Sequence, residues 1–211
     1  MENESVFVLL AGGKSERMGV AKGLLKYKYT FWILEQLNRI SKTSIKTVYI
    51  GLGYNNEHYF DAIPWLKDAI TDFVDSEGLN IKTIVNPTPE LGSFSTLQTV
   101  LININHNVDV LLAPIDVPIL NPEELKKIIA AKNNIVMPNF EGKNGHPIKM
   151  DINFWKNLVS LNVSDENSRL DLQIKKLNPE EITMIKVSDA SSIKNLNTKA
   201  AWISFLDEEE N

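Results

Sequence analysis

The segment LLAGGKSERMGVAK, residues 9–22, brings together residue types that bind phosphate. Gly12 and Gly13 allow backbone N–H groups to approach an anion closely. Arg17 presents a planar fork that can bind two phosphate oxygens, and Lys22 adds a compact positive charge. Because these residues follow a hydrophobic run, we predict an anion-binding loop after the first strand. The alternative is an ordinary tight turn with surface cations.

Two common phosphate loops are excluded by spacing. A Walker A loop has a glycine five positions before the glycine of its GK pair, where this chain has Val8. A dinucleotide fingerprint that begins at Gly12 requires a glycine at the position of Lys14. The GKS tripeptide is therefore not the informative part of the segment, and Lys14 is interpreted as a loop residue.

Asp116 is the candidate metal ligand. It is the one acid in LLAPIDVPIL, residues 111–120, where it follows a hydrophobic run and lies between two prolines. Mg²⁺ prefers carboxylate oxygens, and phosphates and waters complete its coordination. This position favours metal binding by Asp116 over the alternative, in which the aspartate caps the turn before Asn121.

Two further segments contain candidate contact residues. In PELGSFSTLQTVL, residues 89–101, Gly92 permits close approach, and the Ser93 and Ser95 hydroxyls can hydrogen-bond a base edge. The alternative is a plain helix N-cap. In GKNGHPI, residues 142–148, His146 follows a turn, where histidines are commonly structural.

Short hydrophobic runs alternate with helical patterns along most of the chain, which predicts an α/β fold with a mostly parallel sheet covered on both faces. The EGKNG turn predicts a local antiparallel hairpin. We predict one domain over residues 1–211, with its core at about residues 6–203. Strands are predicted at residues 6–10, 47–52, 81–85, 108–113, 134–139 and 182–187. Helices are predicted at residues 31–40, 59–70 (interrupted by Pro64), 95–104, 122–131, 152–161, 169–177 and 198–206.

The composition excludes several classes of protein. The 211 residues have a formal net charge of −5 and no run of lysine or arginine, which disfavours a nucleic-acid binder. There is no cysteine, so disulfides, thiolate metal sites and thiol catalysis are excluded, as befits the cytoplasm. We expect no signal peptide and no membrane span. The acidic residues 207–211 are expected to form a solvated tail.

LAGGKSERMG followed by Lys22 resembles the signature L-A-[AG]-G-x-S-x-R-M-G-x-x-K of the MobA/MocA-like nucleotidyltransferases. Four later segments also resemble segments of that family: PELGSFSTL, LLAPIDVPIL, GKNGHPI and NLNTKAAW. The chain departs from the family at Ala21, where an acid is common, and at residues 199–201 (KAA), where the family has proline and acids.

The resemblance implies a three-layer α/β/α Rossmann-like fold of the nucleotide-diphospho-sugar transferase type. It also implies Mg²⁺-dependent transfer of a nucleotidyl group from an NTP to a phosphorylated acceptor such as molybdopterin, with release of pyrophosphate. AGG and NLNT resemble the guanylyltransferase branch, whereas GSFST and GHP resemble the cytidylyltransferase branch, and CTP is slightly favoured over GTP. Transient contact with an apoenzyme that receives the cofactor is a further implied interaction. The alternatives are a sugar-phosphate or alcohol-phosphate nucleotidyltransferase and a non-catalytic nucleotide-binding protein.

Roles for individual residues follow from the same resemblance. The implied catalytic residues are Arg17, Lys22 and Asp116, the metal ligands Asp116 and Asn197, and the acceptor-binding residues Gly145 and His146. The implied nucleotide-binding residues are Leu10, Ala11, Gly12, Gly13, Ser15, Arg17, Gly19, Lys22, Gly92, Ser93 and Ser95. Thr198 is expected to cap the last helix.

Overall fold

The structure is a computed structural model that describes residues 4–105 and 107–210, except for the side chain of residue 210. Its strands are β1 (Ser5–Leu10), β2 (Lys26–Tyr27), β3 (Thr30–Phe31), β4 (Thr47–Leu52), β5 (Val74–Ser76), β6 (Leu79–Val85), β7 (Asp109–Pro114), β8 (Ile135–Phe140), β9 (Lys143–Asn144), β10 (Ile148–Met150) and β11 (Ile182–Lys186). Its α-helices are α1 (Trp32–Ser41), α2 (Asn56–Ala62), α3 (Trp65–Asp68), α4 (Ser93–Ile102), α5 (Pro122–Ala130), α6 (Ile152–Val159), α7 (Leu170–Ile174) and α8 (Lys199–Glu210).

A mostly parallel sheet forms the centre of the described chain, in the strand order β11-β8-β10-β7-β1-β4-β6-β5. Strands β7, β1, β4 and β6 are parallel neighbours, and β11 runs parallel to β8. The long hydrophobic runs of β1 and β7 are buried almost throughout, as expected for strands covered on both faces. The predicted α/β class and mostly parallel sheet are confirmed.

Helices cover both faces of this sheet and separate the core into two clusters. On one face, helices α1, α2, α3, α5 and α8 bury large side chains such as Trp32, Leu66 and Phe205. On the other face, α4 and α6 bury Leu97, Val100 and Trp155. The three-layer arrangement is therefore confirmed. None of the helices in the described ranges is long and apolar enough to cross a membrane.

The predicted antiparallel hairpin is present, but its second strand lies deeper in the sheet than a simple hairpin would place it. Strand β10 pairs antiparallel with β8 and also with β7, so it fills the space between them. The short β9 pairs with β8 across the turn. Two antiparallel pairs had no sequence prediction: the β2–β3 hairpin and the pairing of β5 with β6.

The acidic residues 207–209 are exposed, as predicted, but they belong to the last helix and do not form a separate tail. Asp207 to Glu210 form the last turn of α8. The carboxylate of Glu209 accepts hydrogen bonds from Arg39 at 2.6 Å and from the Tyr27 hydroxyl at 2.7 Å. Arg39 on α1 and Tyr27 on β2 thus provide partners for the Glu209 carboxylate. A run of acidic residues in the sequence gives no sign of these distant partners. Asn211 lies outside the described residues.

Candidate active site

A cleft of about 450 Å³ opens at the carboxyl ends of β1, β4 and β7. In open α/β sheets, ligands bind at this edge, where the connections diverge to opposite faces. The walls come from residues 10–15 after β1, from Tyr54 after β4, and from residues 114–116 after β7. Pro89, Gly92 and Ser93, at the start of α4, close a further side. The segments after three strands and the start of α4 thus contribute residues to one cleft.

The loop after β1 is held in a tight turn around Ser15. Ser15 has a positive φ of 56°, and its carbonyl accepts hydrogen bonds from the amides of Met18 (2.9 Å) and Gly19 (3.2 Å). Its hydroxyl accepts a hydrogen bond from the Lys22 amide at 3.2 Å. The amides of residues 12–17 have no acceptor within the described chain, so they remain available to an anion.

Gly12 is required by close contact with the end of β4. A Cβ atom at Gly12 would lie 3.0 Å from the Gly53 nitrogen and 3.1 Å from the Thr96 hydroxyl. The Tyr54 amide donates to the Gly12 carbonyl at 3.1 Å, which holds the two loops together. The glycine therefore allows the loop after β1 to pack against β4 and α4.

Lys22 joins the two residues proposed as metal ligands. Its ammonium donates to the Asp116 carboxylate at 2.7 Å and also to the side-chain oxygen of Asn197. The side chains of Lys22 and Asp116 are only 17% and 16% exposed, so solvent screens their attraction weakly. Lys22 thus connects the loop after β1 to the segment after β7 and to the segment before α8.

The position of Asp116 is set by hydrogen bonds to its neighbours. The Trp32 indole N–H donates to the Ile115 carbonyl at 2.7 Å, and the Gln36 amide donates to the Val117 carbonyl at 2.8 Å. The Asp116 carbonyl accepts from the Leu196 amide at 2.8 Å, which places Asn197 beside it. Helix α1 and the segment before α8 therefore hold the catalytic candidate on both sides.

The donor set is suited to a hard divalent cation. Asp116 offers a carboxylate and Asn197 an amide oxygen, and both side chains reach the same point, which the Lys22 ammonium marks. No group of three or more His, Cys, Asp or Glu side chains that could hold a metal occurs in the described ranges. A metal at Asp116 would therefore need phosphate oxygens or water to complete its coordination.

Arg17 lies beside the cleft rather than in its wall. It is exposed and lines an adjoining hollow of about 310 Å³, which Ser15, Lys22 and Asn197 also line. Gly19 is exposed as well, and its φ of 73° identifies it as a turn residue. The structure thus brings Arg17 to the same side as Lys22 and Asn197, while Gly19 shapes the loop.

The segment PELGSFSTL divides into accessible and buried parts. Gly92, with a φ of 91°, and Ser93 are exposed and line the cleft. Ser95 is 2% exposed, and its hydroxyl donates to the Thr88 and Gly92 carbonyls and accepts from Asn86. The structure therefore gives Ser95 an internal role in place of the predicted base contact. Helix α4 begins at Ser93, two residues earlier than predicted.

Gly145 and His146, the two residues predicted to bind the acceptor, have different surroundings. Gly145 is buried against the Ser192 backbone, where a Cβ would collide, so it has a packing role and does not line the cleft. The His146 amide donates to the Ser192 carbonyl at 2.9 Å. Burial lowers the pKa of the His146 imidazole, and the nearby Asp116 carboxylate offsets only part of this effect. His146 is therefore neutral near pH 7.

Several cleft residues were not predicted from the sequence. Tyr54, Glu90 and Thr96 line it, and the Lys14 ammonium lies 5.1 Å from the centre of the Tyr54 ring. Gly51 and Gly53 at the end of β4 were an available signal, because glycines at a strand end indicate close approach of another backbone. Thr96 follows Ser95 in α4, and only the packing of α4 decides which of the two faces the cleft.

The fold and the cleft together define a class: an α/β protein that binds a phosphate-bearing ligand at the carboxyl edge of its sheet. The profile of the MobA-like NTP transferase domain matches residues 7–176. The chain belongs to this family and is a nucleotidyltransferase with a nucleoside triphosphate substrate. A search of curated protein sequences finds no match.

Solved structures have the same fold. Rv0371c from Mycobacterium tuberculosis H37Rv is 18% identical, with a TM-score of 0.76 and coverage of 98% of this chain and 99% of that one. A structure of Rv0371C with manganese is 16% identical, with a TM-score of 0.71 and coverage of 97% and 98%.

Two further neighbours have names that describe an activity. A nucleotidyl transferase from Methanothermobacter thermautotroptrophicus, Mth528, is 16% identical, with a TM-score of 0.76 and coverage of 99% and 100%. The 4-diphosphocytidyl-2C-methyl-D-erythritolsynthase of Anaerococcus prevotii is 15% identical, with a TM-score of 0.72 and coverage of 99% and 97%. At these identities the similarity establishes the nucleotide-diphospho-sugar transferase fold alone.

Proposed function

We propose that the protein transfers a nucleotidyl group from an NTP to a phosphorylated small-molecule acceptor in a Mg²⁺-dependent reaction. An oxygen of the acceptor phosphate attacks the α-phosphorus, the bond from that phosphorus to the bridging oxygen breaks, and pyrophosphate leaves with the electron pair. The observation that carries the proposal is the meeting of Lys22, Asp116 and Asn197 at the mouth of a cleft lined by free amides.

The chain's own contribution is positioning and charge. The amides around Gly12, Gly13 and Ser15 hold phosphate oxygens, with Leu10 and Ala11 forming the adjoining wall. Arg17 and Lys22 neutralise the triphosphate, and Ser93 at the start of α4 contacts the nucleoside. Mg²⁺, when bound, supplies further positive charge to the phosphate oxygens, and Asp116 and Asn197 are the residues that would hold it.

Lys22 has two alternative sets of partners. In the structure its ammonium is bonded to Asp116 and Asn197. A triphosphate in the cleft offers Lys22 stronger anionic partners, and the transfer of the ammonium to phosphate leaves the Asp116 and Asn197 oxygens free. Binding of the nucleotide thus prepares the two metal-ligand candidates.

No general base is required for the reaction, because a phosphate acceptor is already anionic. His146 lies on the acceptor side, and because it is neutral its N–H can donate one hydrogen bond to the acceptor without adding charge. Gly145 positions His146 through its packing on Ser192. His146 therefore orients the acceptor and does not remove a proton from it.

The preferred substrates are proposed from the sequence. CTP is favoured over GTP, because GSFST and GHPI are similar to segments of the cytidylyltransferase branch. Molybdopterin is the leading acceptor, and the cytoplasm, which suits a chain without cysteine, is the proposed compartment.

The test is release of pyrophosphate with each of the four NTPs, Mg²⁺ and a panel of phosphorylated acceptors that includes molybdopterin. We expect one NTP to dominate and Asp116→Asn to lower kcat/KM by at least about 100-fold, because charge stabilisation is lost from the transition state. Glu123→Gln is the matched control, since Glu123 is an exposed acid on α5, and it should retain full activity.

A protein that is stabilised by an NTP but releases no pyrophosphate with any acceptor would instead be a non-catalytic nucleotide binder. Full activity of Asp116→Asn would refute the role assigned to this residue.

A further inference from the structure

A second hollow, of about 500 Å³, adjoins the nucleotide cleft, and we refer to it as the acceptor hollow. It lies between α4, the strands β7, β8 and β10, and α7. We propose that it selects an acceptor phosphate whose body is largely apolar, an aromatic or alkyl group, over a polyhydroxylated sugar phosphate. This inference rests on the proposed function, because it identifies the second substrate of the same site.

The acceptor hollow is continuous with the nucleotide cleft. Leu10, Ser93 and Pro114 line both. Pro114 is two residues before Asp116, and His146 lines the hollow close enough to Asp116 for the carboxylate to affect its pKa. A molecule with its body in the acceptor hollow can therefore extend a phosphate into the nucleotide cleft, towards Asp116.

The floor of the acceptor hollow is apolar. It is made by Phe94 and Leu97 of α4, Leu112 of β7 and Met137 of β8, which are 2–8% exposed. A hydroxyl pressed against such a surface loses its bonds to water, at a cost of about 1–3 kcal/mol when no partner replaces them. An aromatic or alkyl body instead gains about 25 cal/mol for each Å² that it buries.

The polar side chains of the acceptor hollow are mostly exposed and do not form its floor. Asn144 is exposed, and its side-chain oxygen already accepts a hydrogen bond from Asn139 at 2.6 Å. Arg169 and Asp171 are paired with each other at 3.1 Å. The other polar lining residues are Ser93, which also lines the nucleotide cleft, the exposed Lys175, and His146. A polyhydroxylated body would therefore lie against apolar side chains with unpaired hydroxyls.

The rim of the acceptor hollow favours an anionic molecule. Arg169 and Lys175 both lie within ion-pair distance of Asp171, at 3.1 and 3.9 Å. Two cations share one acid, so the rim has a surplus of one positive charge. This surplus attracts a molecule that carries a phosphate. An apolar floor with a cationic rim matches an amphiphilic phosphate.

The experiment compares matched acceptors in the pyrophosphate-release assay with the preferred NTP. The apolar acceptors are phenyl phosphate and hexyl phosphate, and the polar acceptors are ribose 5-phosphate and sorbitol 6-phosphate. We expect kcat/KM to be at least about tenfold higher for the apolar acceptors, which corresponds to about 1.4 kcal/mol. Equal or better use of the sugar phosphates would overturn the inference.

Two variants test the site itself. One variant is Ile174→Asn, on the wall that α7 provides, and the other is Met137→Gln, which keeps the shape of the floor residue. Each should raise the KM for phenyl phosphate at least about fivefold. The KM for the NTP should not change, a split that general unfolding would not produce. Ile102→Asn is the control, because Ile102 is 58% exposed on α4 and does not line the acceptor hollow. An unchanged KM for phenyl phosphate in both variants would overturn the inference.

A binding measurement separates failure of this inference from failure of the proposed function. Calorimetry measures the binding of phenyl phosphate to the full chain in the presence of a non-hydrolysable NTP analogue. If no pyrophosphate is released but phenyl phosphate binds, and Met137→Gln weakens its binding, the hollow is confirmed and the proposed reaction is wrong. Absence of phenyl phosphate binding, or binding that neither variant affects, refutes the hollow.

Discussion

At the scale of single residues, Lys22 is the most informative side chain of the candidate site. Its ammonium occupies the point where the oxygens of Asp116 and Asn197 converge, and a divalent cation needs the same oxygens. An ammonium and a metal ion cannot share this position. We therefore expect Lys22 to compete with a metal ion in the nucleotide-free protein.

Substitution Lys22→Met should tighten the binding of Mn²⁺ to the nucleotide-free protein by at least about tenfold. The substitution removes the ammonium that lies 2.7 Å from the Asp116 carboxylate. The negative charge of Asp116 then interacts with the metal ion alone. The measurement is titration of free Mn²⁺ by electron paramagnetic resonance. Lys14→Met, which removes an exposed lysine from the same loop, should not change the affinity. Equally weak binding by wild type and Lys22→Met would show that Lys22 does not compete with the metal.

At the scale of elements, connections between helices and loops hold the site in place. Helix α1 bonds to the backbone on both sides of Asp116 through Trp32 and Gln36. On α5, the buried Glu124 accepts hydrogen bonds from the Ser188 amide (2.7 Å) and hydroxyl (2.9 Å) and from the Asp189 amide (3.0 Å). Glu124 thereby ties α5 to the segment that follows β11.

Substitution Glu124→Gln should lower the free energy of unfolding by about 1.5–3 kcal/mol, the range for hydrogen bonds to a charged group. Urea unfolding measures this change. Glu123→Gln is the control, since Glu123 is exposed and paired only with the exposed Lys126. A loss below about 0.5 kcal/mol in Glu124→Gln would mean that these hydrogen bonds add no net stability.

We expect the contribution of the Glu124 carboxylate to the free energy of unfolding to depend on pH. Burial acts to raise the pKa of Glu124, but the hydrogen bonds from Ser188 and Asp189 outweigh it and lower the pKa. Because the folded pKa lies below the unfolded value of about 4.3, the contribution is complete above that pH and is lost as the pH falls through the folded pKa. The stability difference between wild type and Glu124→Gln should therefore shrink in acid. A pH-independent difference would contradict this linkage.

At the scale of the whole molecule, the last helix joins the first part of the chain. Trp202 and Phe205 of α8 pack edge-on against Trp32 of α1, each at 5.2 Å between ring centres. At the end of α8, Glu209 pairs with Arg39. Since Trp32 also bonds to the carbonyl of Ile115, the packing of α8 supports the segment that contains Asp116.

Substitution Phe205→Ala should lower the free energy of unfolding by about 3–5 kcal/mol, as expected for the loss of a buried aromatic ring. Phe205 is 1% exposed, so the substitution creates a cavity beside Trp32. Urea denaturation measures the loss, and Ser204→Ala at an exposed neighbouring position is the control. A cost below about 1 kcal/mol would show that α8 is not part of the cooperative core.

Much of the fold could be predicted from local patterns. The strand at residues 47–52 has the predicted bounds, and Pro64 separates α2 from α3 as expected. The Ala201 amide donates to the Thr198 hydroxyl at 3.2 Å, so the predicted cap of α8 is confirmed. These features depend on neighbouring residues, whose hydrophobicity, backbone restriction and capping groups can be read directly from the chain.

The sequence by itself determined the α/β class and the position of Asp116 after a buried strand, and anion binding by the loop after β1 stays a prediction. Only the tertiary structure decided that Lys22 bonds to Asp116 and Asn197, that Ser95 is internal while Thr96 faces the cleft, and that an apolar hollow adjoins it. The physical reason is sequence separation: hydrophobic periodicity and helix capping depend on residues that are close in the chain, whereas Lys22 lies 94 residues from Asp116 and 175 from Asn197. Contacts over such separations arise only when the strands have packed in one particular order.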